Sequence, residues 1–579
     1  MGHIKPSETG RRVPWCLPVA TLLVTMACAG SDDAHASVQR TQPGGEIAPL
    51  SLDVTTSDRH PISPFIYGMN FAEMDGTPRG TAPWYGAVLP RGITFTRFGG
   101  NRLSAFDWVT GYSNVGTDGG RENDRYLALS GNGAWDYGTA PGAAVAGRIE
   151  AARLRGRALM LTIPMLGSVA APGSGHFKPS MPRKGAPFVV PTGAEPVVYQ
   201  DELVDFVRQR VAGHPAHPRT PVFFDLDNEP DLWSSTHPEV ARGMWSYAEF
   251  SDTSIAYAAA IKDVMPNAKV FGPSVATYTG MVAGDRYHNG WTDDPMYARQ
   301  NFLSIYLDRM SAANRTGGRR LLDVLDVHFY PAAGTGRGEV GNDHALQDSA
   351  MIAARLQAPR SLWDPTYVEG SWVNDVAGGA IRLLPWLRDL VQAHYPGTML
   401  SISEYYYGRG GDISGGLAQA DVLGILGREG VFAAALWPNA AVYAAPYGGD
   451  GAKAYAYLFA AFRLFLDYDG KGTGFGTVGV RATASDPGRA SVYASIDPSG
   501  RVTIIAINKE QAHEQSMSLN VRHPAALPHL SAAYELTGSA PDVRKIAHPS
   551  VTFVGYSAGI NRYRVVLPAL SATVMAFVQ

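Results

Sequence analysis

Eight short apolar runs recur at long intervals between residues 64 and 438, and each ends in polar or glycine-rich residues. They are PFIYGMN (Pro64–Asn70), ITFTRFGGN (Ile93–Asn101), ALMLTIP (Ala158–Pro164), PVFFDLDNEP (Pro221–Pro230), AKVFGPS (Ala268–Ser274), VLDVHFYP (Val324–Pro331), MLSISEYYYG (Met399–Gly408) and VFAAALWP (Val431–Pro438). Between them lie segments with helical spacing, among them AVAGRIEAARLRG, DELVDFVRQRV, NFLSIYLDRM and GLAQADVLGILGREG. A strand that is apolar on both sides must be covered on both faces, and helices returning the chain supply that cover. Such strands alternating with amphipathic helices therefore imply a parallel sheet. Eight units predict a (β/α)8 TIM barrel, whose chemistry sits at the C-terminal ends of the strands. A doubly wound sheet would carry a phosphate-binding glycine loop after its first strand, and FIYGMNFAEM lacks that spacing.

From about Gly470 the texture changes. Short alternating runs, SVYASID, RVTIIAIN, VTFVGYS, NRYRVVLP and ATVMAFVQ, are separated by Gly, Pro, Asn and Asp. They predict a C-terminal antiparallel β-sandwich over residues 471–579, following a barrel over 63–470. The extended EIAPLSLDVTTS, within residues 37–62, is expected to join that sandwich as a strand. GYSAG (Gly555–Gly559) matches the serine-hydrolase pattern but sits between two strand-like runs, which reads as a hairpin loop.

Residues 1–36 have the three-part layout of a secretory signal: Lys5, Arg11 and Arg12, an apolar stretch from Leu17 to Ala29, then AHA ending at Ala36. An exported protein, periplasmic or extracellular, is expected. VTMAC offers a second outcome, lipid attachment at Cys28. Both cysteines, Cys16 and Cys28, fall in this segment, so the mature fold is not expected to depend on disulfides. The formal charge is only −3, without a long run of either sign, which argues against nucleic acid or an anionic membrane surface as partner. Aromatics reach 10% of the chain against 17% charged residues, a balance suited to a neutral ligand that stacks on rings. A monomer is the expected state.

The fourth run closes on acidic residues at alternate positions: Asp225, Asp227, Glu229 and Asp231. A calcium loop of the EF-hand kind would need Gly six positions in and Glu at the twelfth, where this stretch has Pro230 and Thr236. Glu229 instead falls at the mouth of a barrel, where a carboxyl in a dry cleft has its pKa raised and can protonate a leaving group. Such an acid needs a second carboxylate facing it, and Glu404 supplies one at the end of the seventh run. Two carboxyls so arranged do glycoside chemistry, one as acid/base and the other as nucleophile. Asn228, beside the acid, is placed to bond a sugar 2-hydroxyl.

An Asn-Glu dipeptide after strand four with a second Glu after strand seven is similar to the large clan of retaining (β/α)8 glycosidases. Within it, DNEPDLWSSTHPEV, RFGGNRLSAFDWVTGYSNVG, RSLWDPTYVEGSW and SISEYYYGRGGDISGGLAQADVLGILGREGV resemble glycoside hydrolase family 44, from about Arg97 to Trp437. The resemblance implies a barrel with a β-sandwich, cleavage of internal β-1,4 bonds of cellulose-like glucans and xyloglucan with retention, Glu229 as acid/base and Glu404 as nucleophile. It permits a structural calcium, with Glu73 or Asp118 as candidate ligands, though no cofactor is required. The sequence departs from the family pattern at Tyr406, where Asn is familiar, and at Asp231 after Asn-Glu-Pro, which leaves fine specificity open.

Among other strand-end residues, Arg97 is placed to bond the nucleophile carboxylate, with a structural ion pair as the alternative. His328 and Tyr330 are placed to orient Glu404, and Trp437 to floor the sugar at the cleavage site. Trp84, Trp108, Trp233, Trp363 and Trp372 are candidates to line a polymer cleft. A mannanase or xylanase on the same scaffold is the nearest rival reading. A carbohydrate-binding protein without catalysis is a rival of another class, and such a protein would typically lack one of the two carboxyls.

Overall fold

The computed structural model describes residues 49–578 except 75–87, 130–134, 213–220, 242, 244, 285–300, 337, 439–446 and 548–550. The segment read as a signal, Cys28 and Trp84 lie outside the described residues.

Each of the eight runs contains one strand of a closed parallel barrel: β1 (Gly68–Asn70), β2 (Phe95–Phe98), β3 (Ala158–Ile163), β4 (Val222–Leu226), β5 (Val270–Val275), β6 (Val324–Phe329), β7 (Met399–Tyr405) and β8 (Ala433–Leu436). Neighbours in sequence are neighbours in the sheet, and β8 closes on β1 through Ala435 opposite Gly68. A Cβ on Gly68 would come within 2.3 Å of the Ala434 carbonyl and 2.4 Å of the Phe95 ring, so the closure needs a glycine there.

The strand period of two divides the barrel interior into layers. Phe95, Met160, Phe223, Phe271, Val324 and Ala433 form an apolar cluster of their own, with Phe65 packed beneath at 5.3 Å from Phe223 and 5.4 Å from Phe432. Two residues further along the same strands the same face turns polar: Arg97, Thr162, Asp225 and Asp326, all fully buried. One end of the barrel is thus packed shut with rings and the other carries the ionisable groups.

Two strands break this period near the polar end. Pro273 pairs with Asp326 and Val275 with Val327, so Ser274 is an extra residue in β5, at φ +53°. Val327 pairs with Ile402 and His328 with Glu404, so Ser403 is extra in β7. A bulge of this kind re-aims the next side chain, and here it brings Glu404 alongside His328.

Beyond the barrel a ten-stranded sheet curls around a second core. The strand Leu50–Pro61 lies inside it, antiparallel to Val478–Ala484 and parallel to Gln515–Arg522. Tyr563 and Phe577 belong to strands far apart in sheet order, yet their rings meet at 4.7 Å, which marks the sheet folding over itself as a sandwich. The GYSAG stretch is its hairpin, with Ser557 opposite Ile560 and both turn residues, Ala558 and Gly559, at positive φ.

The helix Ile413–Arg428, buried along nearly its whole length, lies between barrel and sandwich. Gly424 lets the Tyr493 ring approach, since a Cβ there would lie 2.3 Å from it. On the same helix Asp421 accepts a hydrogen bond from the Tyr493 hydroxyl at 2.5 Å and forms an ion pair with Lys509 at 2.8 Å.

Candidate active site

The three aspartates of the Asp225–Asp231 stretch each have donors of their own, which offsets the repulsion among acidic residues set so close together. Asp225 Oδ2 accepts Nε and Nη2 of Arg97 at 3.2 and 3.1 Å. Asp227, at φ +70°, accepts the Ser104 hydroxyl at 2.6 Å and the Asn228 amide at 2.7 Å. Asp231 ties the loop to the next strand by accepting the Ala276 amide at 2.9 Å. Glu229, at φ +46°, is fixed through its backbone, whose amide donates to the Ser274 carbonyl at 2.9 Å. Its side chain is thereby held over the barrel mouth.

Glu404 meets it from the other side. Arg97 Nη1 donates to Glu404 Oε1 at 2.6 Å and the Tyr330 hydroxyl to Oε2 at 2.9 Å. His328 Nδ1 lies 2.8 Å from Glu229 Oε1 and 3.5 Å from Glu404 Oε2, bridging the pair. Oxygens of the two carboxyls and the His328 nitrogen all lie within 4.8 Å of one another. Glu404 is 5% exposed and Glu229 21%, so one lies at the floor of the cleft and the other reaches into it.

Their environments separate the two carboxyls. Burial pushes both upward. On Glu404 the Arg97 charge and the Tyr330 hydrogen bond act against that rise and favour the anion, while a charge on Glu229 adds to it. Glu229 has only Arg97 opposing, while the Asp118 charge adds to the effect of burial, and it is pushed up to about 7. Burial lowers His328 to about 4, against the Glu404 charge, so the imidazole is neutral at neutral pH.

Asn228 joins this group. Its Oδ1 accepts Arg97 Nη2 at 2.9 Å and the Gly100 amide at 3.1 Å, which orients the side-chain amide and leaves its NH2 on the other edge. Trp437, half-buried, packs on Phe71 at 5.6 Å and against Gly100, where a Cβ would meet its ring at 2.6 Å. Sequence reasoning did not single out Asn70, Ser104, Ser274, Asp326 or Ser403. Asn70 and Asp326 carried a signal, as polar residues within apolar strands; the bulge serines carried none.

Two tryptophans expected in the cleft are core residues. Trp108 is 1% exposed, donates Nε1–H to the Tyr199 carbonyl at 3.2 Å and packs on Phe206. Trp233 is fully buried between Trp245 and Phe250 and donates Nε1–H to the Asn228 carbonyl at 3.0 Å, so it props the acid-bearing loop from behind. A buried indole N–H requires an acceptor, and the backbone provides one in each case. Trp108→Ala is accordingly expected to cost about 3–5 kcal/mol of stability and to leave KM where it was, measured by denaturant unfolding and steady-state kinetics. Trp363 packs under the Arg428 guanidinium at 4.1 Å, whereas Trp372 is 41% exposed.

Of the two candidate calcium ligands, Glu73 is committed to other partners, and Asp118 has one carboxylate oxygen held by an amide. Both oxygens of the buried Glu73 are engaged, one by Arg148 and the other by Thr96. Asp118 accepts the Asn101 amide at 2.8 Å. Among the described residues neither belongs to a cluster of three possible ligands, and the cluster that exists is Glu229, His328 and Glu404. A cation there would face the Arg97 guanidinium, which already occupies Glu404.

The profile of glycoside hydrolase family 44 matches residues 173–333. The solved structure of the family 44 endoglucanase Cel44A from Clostridium thermocellum is 31% identical, with a TM-score of 0.77 over 91% of this chain and 99% of that one. The chain belongs to glycoside hydrolase family 44. A second family 44 structure, a Paenibacillus polymyxa xyloglucanase with xyloglucan, is 29% identical at the same TM-score, covering 92% of this chain and 99% of that one. Endoglucanase A of Paenibacillus lautus is 36% identical over 471 residues, 79% of this chain, and the chain spans 63% of that relative's length. Of the two departures from the family 44 pattern, Asp231 makes the loop contact described above, and Tyr406 is buried with its hydroxyl donating to Asp343 at 2.9 Å. Neither reaches Glu229 or Glu404 through those contacts.

Proposed function

We propose that this family 44 chain is an exported endo-β-1,4-glucanase acting on cellulose-like glucans and xyloglucan, with retention of configuration. One observation carries the retention: the oxygens of Glu229 and Glu404 approach within 4.8 Å. Retaining enzymes hold their carboxyls about 5–5.5 Å apart, whereas inverting ones need roughly 6.5–9.5 Å to admit a water between acid and sugar. The substrate class is supported by the relatives, named as endoglucanases and as a xyloglucanase with xyloglucan. Export is supported by the layout of residues 1–36 alone.

In this reading the Glu404 carboxylate attacks the anomeric carbon while Glu229 gives its proton to the departing glycosidic oxygen. The carbon–oxygen bond breaks, and the sugar is left as an ester on Glu404. Glu229, now ionised, takes a proton from water, whose oxygen displaces Glu404 and restores both carboxyls. Arg97 and Tyr330 hold Glu404 in line, and the Asn228 NH2 is available to the 2-hydroxyl. Trp437 offers its face to the ring at the cleavage point.

Product analysis of the purified protein on carboxymethylcellulose, xyloglucan, glucomannan and xylan tests this reading. Rapid shortening of a β-glucan with β-anomeric first products is expected. Preference for glucomannan or xylan would move the substrate to the mannanase or xylanase reading, α-anomeric products would overturn retention, and binding without cleavage would favour a non-catalytic protein.

A further inference from the structure

Beneath the two carboxyls lies a cluster to which the reaction assigns no task. Asp225, Ser274, Asp326 and Ser403 are all fully buried. Ser274 Oγ lies 2.5 Å from Asp225 Oδ1 and 2.7 Å from Asp326 Oδ2, and the Ser403 hydroxyl bonds the same Asp326 oxygen. Oxygen–oxygen contacts of this length each need a proton between them. There are three such contacts here and two hydroxyls, each with a single hydrogen, so the third proton belongs to a carboxyl. Arg97 donates twice to Asp225, which favours the anion there. Asp326 Oδ1 is buried with no hydrogen-bond partner among the described residues, a position where a full negative charge would be left uncompensated.

The geometry points to Asp326 as a positioning residue that works as a neutral acid: it donates to Ser274, Ser274 donates to Asp225, and Asp225 holds the Arg97 guanidinium against Glu404. This rests on the reading of Glu404 as nucleophile. The ionisable groups around Asp326 are Arg97 from β2, Asp225 from β4, Glu404 from β7 and His328 from β6 itself, while β5 contributes the hydroxyl of Ser274. With Asp326 neutral, one anion fewer competes for the Arg97 charge, and more of it falls on Glu404.

Asparagine at 326 donates through its amide and carries no charge, whereas alanine does neither. Asp326→Ala is expected to lower kcat about 100-fold, while Asp326→Asn stays within about 10-fold of the parent with the acid limb of its kcat/KM profile unmoved. Asp225→Asn removes the competing anion and is expected to move that limb to lower pH. Equal losses in the Asn and Ala variants at 326, or a displaced acid limb in Asp326→Asn, overturn the inference. The infrared difference between Glu229→Gln and Glu229→Gln/Asp326→Asn at neutral pH reads the proton directly. A protonated-carboxyl band lost with Asp326 supports the assignment, and the lack of one overturns it. Trapping with a 2-fluoro glycoside separates this idea from the reading beneath it, because failure to label Glu404 overturns the nucleophile assignment whatever the Asp326 variants do.

Discussion

Glu404→Gln is expected to lower turnover on every polysaccharide by on the order of 10⁴-fold or more while the protein stays folded, because the double displacement has no other group to form the sugar ester. The amide keeps the size of the carboxyl, and its one oxygen can still accept from Arg97, which now donates to Glu404 Oε1 at 2.6 Å, with its NH2 standing where Oε2 accepts the Tyr330 hydroxyl at 2.9 Å. It cannot attack the anomeric carbon. Among the described residues no other nucleophile stands free beside the two carboxyls: His328 already bridges them, and Asp225 is committed to Arg97 beneath. Mass spectrometry after incubation with a 2-deoxy-2-fluoro glycoside gives the independent reading, with the parent protein carrying the adduct on the Glu404 peptide and the variant carrying none. Normal turnover in Glu404→Gln would end the two-carboxyl assignment.

The barrel was legible because its strands are covered on both faces. A run such as PVFF has few other places to go, and eight of them spaced by helical segments leave little choice of topology. The facing carboxyls were legible for a related reason, since Glu229 and Glu404 stand where an apolar run stops and a loop begins. The layer beneath them was less so. Ser274 and Ser403 face inward only because each is an extra residue in its strand, and a register shift of one residue reverses which side a side chain takes. Nothing in FGPSV or SISEY announces that shift. The tryptophans show the opposite error. Trp108 and Trp233 lie in stretches rich in polar residues, yet each indole turns inward and spends its N–H on a backbone carbonyl, a choice made by tertiary packing rather than local sequence.

Glu229→Ala should reveal a different defect from that of Glu404→Gln. Losing a general acid costs roughly 10²–10⁴-fold. The loss should be large on polysaccharides, whose departing sugar oxygen needs a proton, and much smaller on an aryl glycoside whose phenolate leaves without one. The pH dependence carries the sharper test. Burial and the Asp118 charge push Glu229 up to about 7, and the sugar-releasing step needs its protonated form, so kcat/KM of the parent is expected to fall as pH rises through about 7. In Glu229→Ala that alkaline limb should vanish. In Asp118→Asn it should move to lower pH, because the charge that favours the protonated acid has been removed. The same displacement bears on folding. With the folded pKa above the ordinary 4.5, the native state binds the extra proton, so this group's contribution to stability declines as pH rises from about 4.5 through about 7. Glu229→Gln abolishes that decline and should unfold at a higher temperature than the parent under mildly alkaline conditions, with the difference gone in acid, as thermal unfolding followed by circular dichroism would read. An alkaline limb that persists in Glu229→Ala would assign the proton to another group, and a limb unmoved in Asp118→Asn would take Asp118 out of the account.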